Sequence, residues 1–295
     1  MSNDIPALPC YLNGEFSTVR DAKVSVLDRG FIFGDGVYEV VPAYEGRPFR
    51  FEEHMARLDR SLGELRIANP MDRKGWRKLV DDLIAAYAKH AGKKPGETNQ
   101  LVYLQVTRGV AMRDHVMPKD LAPTVFAMVN RLYIYTPEER SRGVDCYTAD
   151  DFRWKKGHIK STSLAAAVLA RQVSADQDGN ETVMFRDGFL SEAAASNVWV
   201  VRGGQVLGAP KDNLVLEGIR YGLLEELCEA AGIPFELRRV SREEVVSADE
   251  ILLTSATKEI LPCTRLDGQP VGNGKPGPIY EKLFAGYQQA KRSTS

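Results

Sequence analysis

Neither sign of charge is in excess: 39 Lys and Arg stand against 40 Asp and Glu. That balance leaves no electrostatic footprint for nucleic acid or an anionic membrane. Cysteine is sparse, and Cys10, Cys146, Cys228 and Cys263 form no Cys-x-x-Cys pair. A zinc site and a disulfide frame are therefore not expected, and the cysteines read as reduced cytosolic thiols. No run approaches the roughly 20 apolar residues of a membrane helix. The first residues, Met1-Ser2-Asn3-Asp4-Ile5-Pro6, carry no apolar stretch behind a positive start, so a secretory signal is not expected. Internal repeats and low-complexity segments are also missing. These absences point to a cytoplasmic enzyme or binding protein.

What remains is ordinary globular composition over 295 residues, a length suited to two domains. Asn13-Gly14, Glu45-Gly46, Asp187-Gly188 and Gly203-Gly204 are hairpin signals. Phe51, Met55, Leu58, Leu62 and Leu65 fall on one helical stripe, with Arg57 off it and so read as solvated. A second amphipathic helix is predicted from about Arg73 to His90, and strands over 101–108 and 124–129, with an exposed loop from Gly109 to His115 between them. Gly30, Gly34 and Gly36 punctuate a turn that leads into a strand. With no helix after them they are not a dinucleotide fingerprint. Hairpins and helices without regular alternation argue α+β over a doubly wound sheet. Polar Thr136 to Arg140, with one proline, reads as an interdomain linker.

One stretch carries chemistry. Lys160 lies between the turn at Gly157-His158-Ile159 and a run, Leu164 to Ala170, that is apolar almost all round. Such a helix belongs in an interior, with Ser161 and Ser163 as capping positions. A lysine at the edge of a core has its charged form disfavoured, and neutral lysines capture carbonyl cofactors as Schiff bases. Taken alone, Lys160 reads as a surface lysine with its stem on apolar neighbours.

Its companions change that reading. Asp28-Arg29-Gly30, Gly34-Asp35-Gly36-Val37-Tyr38-Glu39, Glu53-His54-Met55-Ala56-Arg57-Leu58, Ile159-Lys160, Ser191-Glu192 with Ser196-Asn197, and Thr254 through Pro262 stand in an order and spacing that resembles the fold-type IV pyridoxal-phosphate enzymes over nearly the whole chain. That group includes D-amino-acid aminotransferases, branched-chain aminotransferases and aminodeoxychorismate lyases. The resemblance implies an α+β, two-domain fold. Its small N-terminal α/β domain would span 1–135, its linker 136–140, and its larger cofactor-binding domain, β-barrel-like with helices, 141–295. It also implies that Lys160 carries pyridoxal 5'-phosphate and moves the substrate's Cα proton. Glu192 would face the pyridine nitrogen and Arg57 the phosphate, against the solvated reading of Arg57. Ser196, Asn197, Leu216, Ile219, Arg220, Ser255, Ala256 and Thr257 would complete the cofactor site, with backbone N–H groups at Ile219 and Arg220 as anion donors. Two positions depart from the pattern. Arg220 and Ala256 stand where relatives often carry Thr, leaving Ser255, Thr257 or the Arg220 side chain to compensate.

Arg113-Asp114-His115 resembles the Arg-x-His carboxylate trap of the D-specific branch, joined there by the counterpart of Tyr38. Tyr38-Glu39-Val40-Val41 also resembles that branch more than the branched-chain one. The resemblance implies a homodimer that transaminates D-alanine and other D-amino acids with 2-oxoglutarate. Branched-chain L-amino-acid transamination and the lyase reaction remain as alternatives within the family, and non-catalytic cofactor binding or a structural role outside it.

Overall fold

Asn13 and Gly14 both take positive φ, 49° and 105°, which the tight hairpin turn requires and Asn-Gly supplies with little strain. They join β1 (Pro9–Leu12) to β2 (Glu15–Thr18). Then come α1 (Arg29–Phe33), β3 (Gly36–Tyr44), β4 (Arg47–Pro48), α2 (Phe51–Glu64), α3 (Arg73–His90), β5 (Gln100–Thr107) and β6 (Thr124–Arg131). This computed structural model describes residues 5–94 and 96–293. Among them, the chain divides into two units. The first holds 5–133 together with Ile159–Leu164.

The sheet of the first unit runs β2-β1-β6-β5-β3-β4, antiparallel throughout. Alternate residues Val102, Leu104 and Val106 of β5 are buried, as a sheet with one packed face demands. They meet Met55, Leu58 and Leu62 of α2 and Trp76, Val80 and Leu83 of α3 in one core.

The second unit comprises Ile134–His158 and Ala165–Ser293. Its elements are α4 (Pro137–Arg142), β7 (Val144–Asp150), α5 (Ala165–Ala175), β8 (Glu181–Arg186), β9 (Phe189–Ala193), β10 (Asn197–Arg202), β11 (Gln205–Gly208), α6 (Arg220–Ala230), β12 (Phe235–Leu237), α7 (Arg242–Val246), β13 (Glu250–Ser255), β14 (Glu259–Leu266), β15 (Gln269–Pro270) and α8 (Pro278–Ser293). The strands order as β12-β11-β10-β13-β14-β7-β8-β9, with β15 on β14. The sheet mixes parallel pairs, β7 with β8 and with β14, and antiparallel hairpins. It curls, so that β9 runs into β10 through a turn closed by Ala193 N–H on the Ser196 carbonyl. Among the described residues no helix is long and apolar enough to cross a membrane.

The structure differs from three expectations. The stretch 136–140 is not an open linker. Thr136 and Glu139 form a reciprocal capping box and Pro137 opens a helix, α4, inside the second unit. Residues 159–164, expected in the larger domain, belong to the first unit. Nor does the apolar run after Lys160 sit in an interior. In α5 only Ala170 and Ser174 are buried, while Val168 is 64% and Leu169 62% exposed.

Candidate active site

Residues 159–164 lie alongside β3, bridged to it between Ser161 and Val37. Tyr38 N–H donates to the Lys160 carbonyl at 3.0 Å and Thr162 N–H to the Gly36 carbonyl at 2.9 Å. On its other side Lys160 N–H donates to Ser61 Oγ of α2 at 3.2 Å. The lysine's backbone is thus fixed on both flanks, and its half-buried side chain places Nζ 4.2 Å from the centre of the Tyr38 ring. Ser161 and Ser163, expected as caps, lie ahead of α5, which begins at Ala165. The Ser163 hydroxyl, with that of Thr162, donates instead to the Gly34 carbonyl, at 3.0 and 2.9 Å. Gly34 has φ +66°, and a Cβ there would lie 2.7 Å from Ser163 Oγ. This approach explains why glycine stands at that turn.

Arg57 is 5% exposed, so the solvated reading fails. Its Nε and Nη2 donate to the two oxygens of Glu39 at 2.7 and 2.9 Å. His54 Nδ1 lies 2.7 Å from the same carboxylate. Burial pushes the Glu39 carboxyl up, but the Arg57 guanidinium and then His54 outweigh it and hold it well below the usual carboxylate range. The helical stripe misleads because α2 buries a second, polar row, His54, Arg57 and Ser61, of which Glu39 of β3 takes His54 and Arg57 and Ser61 accepts from Lys160 N–H.

Arg113 and His115 come together over one ring. The Arg113 guanidinium carbon lies 5.5 Å from the Phe33 centroid, and the His115 and Phe33 rings are 5.4 Å apart. Both residues are exposed. Among the described residues neither is paired with a carboxylate. Asp114, between them, turns its carboxylate back onto Val116 N–H at 3.1 Å. Below the loop, Asp35 binds Arg29 Nε at 2.8 Å and Arg108 Nε at 2.7 Å. Burial raises the Asp35 carboxyl, and the Arg108 and Arg29 guanidiniums together pull it below its ordinary value.

In the second unit Glu192 is the centre of a group. Its Oε1 accepts from Arg153 Nη1 at 2.7 Å. Its Oε2 accepts from Asn197 Nδ2 at 3.2 Å and from Leu216 N–H at 3.3 Å. Asn197 Nδ2 also donates to the Leu216 carbonyl at 2.9 Å. Burial pushes the Glu192 carboxyl up, and the Arg153 guanidinium recovers only part of that shift. Asp151 holds Arg153 Nε at 2.9 Å and Arg186 Nη2 at 3.0 Å. Two guanidiniums therefore face two carboxylates, which offsets part of the cost of burying Glu192. A carboxylate accepts about four hydrogen bonds. Three donors reach Glu192 among the described residues, so one acceptor position is left over.

Sequence reasoning misses Arg153 and Asp151, because Phe152-Arg153-Trp154-Lys155-Lys156 looks like any solvated basic turn. The Asp-x-Arg spacing is the available signal, since Arg153 N–H donates locally to the Asp151 carboxylate at 3.1 Å.

The remaining expected residues divide. Ser196 Oγ donates to buried Glu181 at 2.7 Å, beside Lys258 Nζ at 2.9 Å. Ile219 opens α6 with no side-chain cap. The Arg220 side chain is 2% exposed, and its Nη2 donates to Tyr287 Oη of α8 at 2.9 Å. Ser255 and Thr257 bring their hydroxyls within 3.3 Å of each other, flanking Ala256 in the turn after β13.

Comparison with known proteins gives this geometry a family. The profile of the amino-transferase class IV family matches residues 36–266. D-alanine aminotransferase of Bacillus licheniformis is 35% identical over 279 residues, covering 94% of this chain and 95% of that protein. D-alanine aminotransferase of Staphylococcus epidermidis is 33% identical over 285 residues, covering 97% and 98%. The crystal structure of a T.th. branched-chain amino acid aminotransferase with pyridoxamine 5'-phosphate superposes with a TM-score of 0.87 at 22% identity, over 99% of this chain and 96% of that one. The last likeness is one of fold. The length of the match and the level of identity together make this chain a member of the class IV aminotransferases.

Proposed function

We propose that the chain is a pyridoxal-phosphate-dependent D-amino-acid aminotransferase. It would exchange the amino group of D-alanine and other D-amino acids with 2-oxoglutarate, giving D-glutamate and a 2-oxo acid. The observation that carries the reading is the pair Arg113 and His115, exposed, held over Phe33 and unpaired with any carboxylate among the described residues. Two such donors suit one substrate carboxylate.

The donor set fits the cofactor. Lys160 offers an amine with a fixed backbone, Glu192 one remaining acceptor position, and Arg57 a buried guanidinium. In this reading Lys160 carries the cofactor, Glu192 takes the hydrogen bond of its ring nitrogen, and Asn197, Leu216 and Arg153 hold Glu192 in place. Arg57, the backbone N–H groups of Ile219 and Arg220, and the turn Ser255-Ala256-Thr257 bind the phosphate. Ser196 acts through Glu181. Pyridoxal phosphate, when bound, supplies the electron sink for the pair left as Cα–H breaks.

Arg113 and His115, with Tyr38, take the substrate carboxylate and so decide which face of Cα meets Lys160. Once the substrate amine had displaced it from the cofactor, Lys160 Nζ would be a free base able to take the Cα proton and give it back on the cofactor side, and the same residue would serve in reverse when the 2-oxo acid is aminated. Glu192, held by Arg153, Asn197 and Leu216, would accept the hydrogen bond of a protonated ring nitrogen.

A homodimer and a cytoplasmic setting belong to the same reading. The apolar row Val168, Leu169 and Val173, exposed on α5, suits a second copy. The four cysteines are free and buried.

The test is an assay of purified protein with each enantiomer of alanine plus 2-oxoglutarate. Turnover of the D form supports the proposal. Turnover of the L form or of L-leucine alone replaces it with the branched-chain activity, and 4-aminobenzoate production from aminodeoxychorismate with the lyase.

A further inference from the structure

Phe33 is a half-buried phenylalanine whose ring neighbours are cations. The Arg29 guanidinium carbon lies 4.7 Å from its centroid, Arg113 5.5 Å, and the His115 ring 5.4 Å. A phenyl face attracts such groups through its quadrupole. Three groups able to carry positive charge would repel one another around it, but Asp35 takes up the charge of Arg29 at 2.8 Å. Arg113 and His115 have no such partner among the described residues, so the ring itself holds them. The same short helix also pins the loop's backbone. Arg29 Nη1 donates to the Asp114 carbonyl at 2.6 Å, and Arg29 N–H to the Gly109 carbonyl at 2.9 Å. At its other end α1 stops at Gly34, whose carbonyl receives Thr162 and Ser163 from the lysine segment. One turn of helix therefore touches both the strand that carries Lys160 and the loop that carries Arg113 and His115.

We propose that Phe33 is the positioning residue of the carboxylate trap: its ring fixes the Arg113 guanidinium relative to the His115 imidazole, while Arg29 fixes the loop between them. The inference rests on the reading of Arg113 and His115 given above. It says that substrate affinity is set by a ring that never touches substrate. Removing the ring would leave Lys160 and its cofactor in place and free the two trap side chains to move. A small displacement of the groups that grip the carboxylate is enough to weaken binding.

The experiment compares holoenzymes of Phe33→Leu, Phe33→Tyr, Arg113→Ala and the double variant Phe33→Leu/Arg113→Ala. It measures KM and kcat for D-alanine and the dissociation constant of propionate, a carboxylate without an amino group, from the cofactor's visible band. Phe33→Leu is expected to raise the KM for D-alanine and the propionate constant by about 10-fold, the scale of a lost cation–π contact, with kcat changed much less. Phe33→Tyr keeps the ring and should stay near the parent. The double variant should bind propionate no worse than Arg113→Ala alone, because the ring acts through the guanidinium. Arg29→Lys, which loses the Nη1 bond to the Asp114 carbonyl, should show the same KM-weighted split and serves if Phe33→Leu does not fold. Unchanged propionate binding in Phe33→Leu, beside weakened binding in Arg113→Ala, overturns the role of Phe33. If Arg113→Ala itself binds propionate normally, the trap reading is wrong and the role of Phe33 falls with it.

Discussion

Glu39 lies wholly inside the first unit, with Arg57 and His54 on its two oxygens. Breaking such a buried pair leaves a charge without compensation, so Glu39→Gln should destabilise the fold by about 3–5 kcal/mol at neutral pH, read from denaturant unfolding. The sign of its pH dependence follows from the lowered pKa. Glu39 starts from an unfolded value near 4.5 and sits well below it when folded. Its stabilisation is therefore fully present above that value and is lost as pH falls from there through the folded value. Unfolding midpoints of the parent should drop across that acid window, and those of Glu39→Gln should drop less. Lys160→Ala should remove the visible band of the bound cofactor and cut transamination by orders of magnitude, measured by absorbance and coupled assay. At this scale the sequence singles out Lys160, Glu192 and Arg57 by motif, without showing what surrounds them. It is opaque where a partner distant in sequence decides the environment. Arg57 looks solvated until Glu39 is placed against it, and Arg153 looks like surface until Glu192 and Asp151 surround it.

Hairpins are readable as elements because their turn residues carry the constraint themselves: Asp187 and Gly188 take φ 52° and 80° between β8 and β9, as Asp-Gly predicts. The long amphipathic helices α2 and α3 are readable from their periodicity. Short pieces are not. Strand β12 has three residues and exists because β11 offers a parallel edge, and α1 has five residues held by an Asp28 cap and by Arg29. In α5 composition misleads, since an all-apolar helix can face a partner copy as well as a core. Val168→Asp with Leu169→Asp should turn the proposed dimer into monomers in sedimentation or light scattering, and an unchanged mass would remove α5 from the interface. Gly34→Ala meets both a positive φ and the Ser163 side chain. It should cost about 1–3 kcal/mol and lower activity, because the residue that must move is three beyond Lys160.

Across the whole molecule, net charge is −1, so activity should change little between low and moderate salt, apart from weakening of the exposed Arg113–His115 pair toward its carboxylate. The division into units is where sequence and structure differ most. Composition suggests a cut near residue 135, yet the first unit takes back residues 159–164, with Ile159 in its core and Ser161 bridged to Val37. A fragment ending at residue 135 should be less stable than one reaching residue 164, as judged by thermal unfolding, even though the longer one adds an unpaired β7. Local pattern does not reveal this return, because so short a segment carries no periodicity of its own.

That return sets an order on biosynthesis. A ribosome that has finished Tyr133 has not yet made the piece that completes the first sheet's neighbourhood. At about 5–20 residues per second the wait is a few seconds. Meanwhile the nascent chain exposes the flank of β3 where the segment 159–164 will settle, so the Lys160 amine is the last part of the first unit to arrive, threaded onto a surface already half built.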